Sequence, residues 1–169
     1  MGKKIGIVIG IIVVILVAVG AMLVGSYNSL VDLKEDVENE FSNVSVMLER
    51  RANLIPNLVN TVKGYAAHEQ AAIDSVTTAR ENLLNANTIE EKSEANNELT
   101  TALNGLMVIV ENYPDLKASE NFIQLSDELA GSENRIATAR RDYNEVVRDY
   151  NSKIKKFPTN ENVLCKGLC

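Results

Sequence analysis

Leu48 to Glu69 reads LERRANLIPNLVNTVKGYAAHE, and the reading of this stretch decides how many helices the chain supplies. Two adjacent arginines and Pro56 stand between two apolar patterns of helical period. Proline lacks an amide hydrogen, and its ring collides with the carbonyl four residues earlier. It is therefore tolerated in the first turn of a helix and costly deeper inside one. The stretch reads as a corner at which one helix ends near Arg51 and the next begins, either capped by Asn53 or opening at Ile55 with Pro56 in its first turn. Leu54, Ile55, Leu58 and Val59 are then expected to close one end of a bundle, with Arg50 and Arg51 at its rim and Asn57 beside them. The rival reading has Pro56 merely kinking one long helix, which leaves a three-helix bundle.

Upstream, Leu30, Leu33, Val37, Phe41, Val44 and Leu48 recur at steps of three or four, the mark of one buried helical face. Downstream, Leu58, Val59, Val62, Tyr65, Ala66, Ile73, Val76, Ala79 and Leu83 carry a second helix to about Asn85. Gly64 weakens that pattern and is expected to admit a closely packed neighbour. Thr88 followed by Glu91 matches a capping box and opens a third helix from about Ile89 to Asn112. Pro114 ends it. From Phe122 to Phe157, through Leu129, Ile136, Tyr143 and Tyr150, alternating steps of three and four describe a long packing seam that Pro158 terminates. Four amphipathic helices joined by short turns predict an all-α chain, with an antiparallel up-and-down four-helix bundle of long helices over residues 26–158.

Ahead of the bundle, Lys3 and Lys4 belong to a short basic N-terminus (residues 1–4). They precede a run from Ile5 to Gly25 that contains no charge. As a helix this run spans about 31 Å, enough for a hydrocarbon core of about 30 Å. It is longer than the apolar part of a signal peptide, and no small-residue cleavage site ends it, so an uncleaved transmembrane helix is expected. The positive-inside tendency puts the N-terminus in the cytoplasm and the bundle outside it. Gly6 and Gly10, and Ala21 and Gly25, are pairs of small residues one turn apart, a spacing that lets two membrane helices approach closely and self-associate.

The 169 residues carry a formal net charge of -6, which excludes the clustered positive charge that nucleic acid demands. Tryptophan is absent and proline occurs three times, a composition suited to helices. Both cysteines, Cys165 and Cys169, fall in the polar tail (residues 159–169), where they cannot staple a core and lack the second pair of ligands that a zinc site needs.

Little in the chain points to reaction chemistry. His68 is the one histidine, and with only Glu69 adjacent and Asp74 nearly two turns on it reads as a surface or packing residue rather than a base or metal ligand. Arg50 and Arg51 fit a role at a bundle end, offsetting the negative end of the first helix, or binding anionic lipid or a partner carboxylate. Arg140 and Arg141, set among Glu133, Asp142 and Glu145, read as an ion-pair network. Tyr143-Asn144 and Tyr150-Asn151 repeat at seven residues along the seam and read as architectural.

Tyr27-Asn28-x-Leu30-Val31, the 48–69 stretch, ENYPDLKASENF at 111–122 and ENRIATARRDYNEVVRDYN at 133–151 with Phe157-Pro158 occur in an order that resembles the bacterial LemA family. Asn53 stands where that family usually has aspartate, Ser119 where it tends to have asparagine, and the NENVLCKGLC ending departs from its pattern. The resemblance implies a single membrane anchor and a helical bundle domain, without an established reaction, substrate or cofactor. Together these readings lead to a membrane-anchored interaction or scaffold protein, non-catalytic, with no cofactor and no metal. Its expected contacts are the lipid bilayer through residues 5–25 and a second copy or another membrane protein. A metal-dependent or hydrolytic enzyme working around His68, and an envelope sensor, are the alternatives.

Overall fold

A computed structural model of the chain describes residues 2–156. Phe157, Pro158 and the 159–169 tail with Cys165 and Cys169 lie outside the described residues, and so do the expectations placed on them. The described residues are helical and contain no strand. Their elements are α1 (Gly2–Tyr65), α2 (Gln70–Asn85), α3 (Ile89–Val110), the single-turn α4 (Pro114–Lys117) and α5 (Glu120–Ile154).

The corner expected at Arg51 to Pro56 does not exist. α1 passes through Pro56 without a break, and Asn53 is an exposed mid-helix residue rather than a cap. Two features make the proline tolerable. Its ring faces solvent, and the carbonyl it cannot serve, that of Ala52, receives a hydrogen bond from Arg80 Nε of α2 at 2.9 Å. A side chain thus stands in for the missing amide.

The chain reverses instead at Ala66 to Glu69, directly after Gly64 and Tyr65. Ala66 N–H still reaches Val62 O at 2.8 Å, and Glu69 N–H turns back to Ala66 O at 3.1 Å. Among the described residues nothing lies within 4 Å of the place a Cβ would occupy at Gly64, so the close neighbour expected there is not found. The next reversal follows the sequence closely. Thr88 Oγ1 accepts from Glu91 N–H at 3.2 Å while the Glu91 carboxylate takes the amide of Thr88 at 3.1 Å, completing the capping box.

Two compact units divide the chain. One comprises residues 40–142 and the other the residues up to 39 with those from 143 onward. In the 40–142 unit, Val44, Leu48, Ala52, Ile55, Leu58 and Val62 line the buried side of α1. They are matched by Ile73, Val76 and Leu83 on α2, Leu99, Leu103 and Leu106 on α3, Leu116 on α4, and Phe122, Leu129 and Ile136 on α5. Ile55, Leu58 and Val59 are buried and Leu54 is half-buried, but they lie along an unbroken α1 and not at the corner expected to close one end of the bundle. Each fully buried side chain of this size contributes about 2 kcal/mol.

The other unit holds the apolar start of α1. It is long and apolar enough to cross a membrane, and no part of its most apolar stretch is buried. Further along, Leu30 is buried and Leu33 and Val37 are half-buried. Tyr143, Val146 and Tyr150 on α5 are half-buried as well.

Candidate functional site

The most distinctive chemistry in the 40–142 unit is a charge in its core. Arg51 is 2% exposed, whereas the sequence suggested a place at the rim. Its Nη1 donates to Asn96 Oδ1 at 2.7 Å and to Thr100 Oγ1 at 3.0 Å on α3. Its Nη2 meets Glu133 Oε1 on α5 at 3.0 Å. Thr100 Oγ1 also lies 3.1 Å from the same carboxylate oxygen, so one buried guanidinium links three helices. Nε has no hydrogen-bond partner among the described residues.

Burial lowers the Arg51 pKa from its ordinary value, and the nearby Glu133 carboxylate opposes that shift. Arginine starts so high that it remains a cation at any physiological pH. The Glu133 side chain is 48% exposed, so the pair reaches from the core to solvent. Such an arrangement fixes the positions of the three helices relative to one another.

The position of Arg51 was legible in principle. It lies three residues after Leu48 and four before Ile55, on the buried stripe itself, and Asn96 lies three before Leu99. An arginine on a core stripe signals an internal partner rather than a rim.

The other candidate residues separate. Arg50, Asn53, Pro56 and Asn57 are exposed. The carbonyl of Asn57 accepts from Thr61 Oγ1 at 2.9 Å. His68 is exposed in the turn, and among the described residues no group of three or more His, Cys, Asp or Glu side chains could hold a metal ion.

Glu69, next to His68, has a part that sequence reading missed. Its Oε1 accepts the Tyr113 hydroxyl at 2.8 Å, tying the α1–α2 turn to the α3–α4 turn. The hydrogen bond to Glu69 raises the Tyr113 pKa above its ordinary value, since ionisation would place two negative oxygens together.

The network expected around Arg140 and Arg141 is rearranged. Arg140 donates to Ser93 Oγ at 2.7 Å, and Arg141 pairs with adjacent Asp142 at 3.0 Å on the surface. Glu133 is taken by Arg51, and Glu145 lies 3.6 Å from Arg148. Tyr143 is half-buried and Asn144 is exposed. Ala21 is exposed, and among the described residues nothing lies within 4 Å of a Cβ position at Gly6, Gly10 or Gly25.

Several relatives align over most of the chain. Magnetosome protein MamQ 2 of Paramagnetospirillum magneticum is 30% identical over 178 aligned positions, covering 90% of this chain and 65% of the relative. Magnetosome protein MamQ of Magnetospirillum gryphiswaldense is 28% identical, covering 99% of this chain and 72% of the relative. Protein LemA of Metamycoplasma hominis is 30% identical over 139 positions, covering 81% of this chain and 63% of the relative. The chain thus spans just under two thirds of the length of the first and third of these. The model of the LemA family matches residues 40–165, beginning where the Arg51-centred unit begins, and the chain belongs to the LemA family.

Proposed function

We propose that this protein is a membrane-anchored, non-catalytic interaction or scaffold protein. Residues 5–25 hold it in the bilayer, and an antiparallel up-and-down four-helix bundle meets a second copy or another membrane protein. The observation that carries this reading is the solvent exposure of the apolar start of α1, from Ile7 and Ile9 through Val17 to Val24. A contiguous apolar surface of that extent calls for lipid or protein around it, and its length suits a bilayer. The same helix also supplies Val44 to Val62 of the core, so anchor and domain share one element.

The short N-terminus with Lys3 and Lys4 lies in the cytoplasm and the bundle outside it, by the positive-inside tendency. The names of the MamQ relatives place them with the magnetosome and mention no reaction, so they supply no substrate. Chemical cross-linking in intact membranes followed by purification of the full chain should recover a discrete partner or a homo-oligomer. A monodisperse monomer with no specific partner across growth conditions would count against the reading. Protease added outside intact cells should cut the bundle, and cleavage only after lysis would reverse the orientation.

A further inference from the structure

We infer that the trough between α2 and α3 is a docking surface for a basic amphipathic helix of a partner protein. The trough encloses about 810 Å³ and runs along the α2–α3 hairpin. Its lining mixes small or apolar residues, Ala72 and Ala79 from α2 and Ala102, Gly105 and Ile109 from α3, with serine, threonine and asparagine side chains.

Charge selects the occupant. The charged residues lining the trough are Glu94 and Glu98, and its continuation toward the α2–α3 turn adds Glu91. Among the described residues no lysine or arginine lines either part. The surface is therefore small and apolar toward Ala72 and Ile109 and acidic toward Glu91. A helix with leucine-like anchors at i, i+3, i+4 and i+7 and lysine or arginine at one end matches it on both counts. A second copy presenting the same face would bring carboxylates without a base, and anionic lipid would be repelled.

Gly105 points the same way independently. It sits in the interior of α3, where glycine is the least helix-favouring residue after proline, yet nothing lies within 4 Å of its Cβ position. No described residue of this chain makes use of its smallness. A helix laid in the trough would use it, because a missing Cβ lets two backbones approach.

This proposal rests on the interaction reading above and names its surface and partner chemistry. The test places a photo-crosslinking amino acid at Thr101 of the full chain in native membranes and sequences the captured segment by mass spectrometry. The expected product is a helical segment with apolar residues at three-and-four spacing and clustered Lys or Arg. Its yield should fall at least about tenfold in G105L, which fills the trough, and in E94K/E98K, which reverses its charge. Circular dichroism of both variants should match the parent, since Gly105 has open space for a side chain and neither glutamate is buried. Capture of this chain itself, of lipid, of a segment without basic residues, or of nothing would overturn the proposal, as would a yield indifferent to both variants. If partners recovered by chemical cross-linking persist in G105L, the interaction reading survives and the trough is not its surface.

Discussion

Arg80 Nε lies 2.9 Å from the carbonyl oxygen of Ala52, the acceptor that Pro56 leaves without its helical donor. Restoring an amide should make that arginine redundant. Arg80→Met in the full chain is expected to cost about 1.5–3 kcal/mol, the range for a hydrogen bond from a charged donor. In a Pro56→Ala background the same substitution should cost at least about 1 kcal/mol less, because the backbone N–H restored at position 56 then serves Ala52 O. Chemical denaturation of the four chains in detergent gives the cycle, and strictly additive effects would mean that the arginine acts independently of the proline.

Removing Glu133 should hurt more than removing Arg51. Glu133→Ala leaves a buried guanidinium without its counter-charge, at about 3 kcal/mol, held to the lower end of the range by the exposure of the carboxylate. Arg51→Met exchanges the cation for an apolar side chain and leaves Glu133 able to hydrate, so its cost should be smaller. Denaturation midpoints that rank the two variants in the opposite order would show that Asn96 and Thr100 alone sustain the charge.

Acid should loosen the start of α3. The amides of Asn87 and Thr88 hydrogen-bond the Glu91 carboxylate and lower its pKa below the usual carboxylate value. A carboxyl group depressed in the folded state contributes stability above its unfolded pKa and loses it as pH falls through the folded value. Protection of the Asn87 and Thr88 amides, measured against the intrinsic exchange rate at each pH, should therefore fall once the pH drops below the ordinary glutamate value of about 4.3. In Glu91→Gln that acid-dependent loss of protection should vanish, and its persistence would assign the effect to another group.

Self-association of the membrane segment should depend on its small residues. Among the described residues nothing lies within 4 Å of the Cβ positions of Gly6 and Gly10, which leaves both open to a second membrane helix. Gly6→Ile with Gly10→Ile is expected to lower dimerisation of the full chain in membranes, read by energy transfer between labelled copies, by about tenfold or more. Unchanged transfer would remove these glycines from any interface.

The helical class, the capping box and the core stripes were legible because each depends on residues within a few positions of one another. Leu48, Ile55 and Leu58 announce a buried face through their spacing alone. The continuity of α1 was not legible, because the residue that rescues Ala52 O is Arg80, far along the chain. The true turn at Ala66 to Glu69 was hidden by an apolar pattern that runs on through it, and its tie to Tyr113 joins parts of the chain that no local rule connects. Arg51 was visible on its stripe, yet its burial depended on Asn96, Thr100 and Glu133 arriving from two other helices.

That three-helix convergence makes the core intolerant of sliding. A shift of α5 along α1 by one helical turn, about 5.4 Å, would carry the Glu133 carboxylate beyond reach of Arg51 while leaving the apolar seam superficially satisfied. Hydrophobic contacts alone tolerate such a slip, and a buried cation does not. Arg51 thus acts as a molecular detent, holding α1, α3 and α5 at one axial setting among several that their leucines and isoleucines would accept.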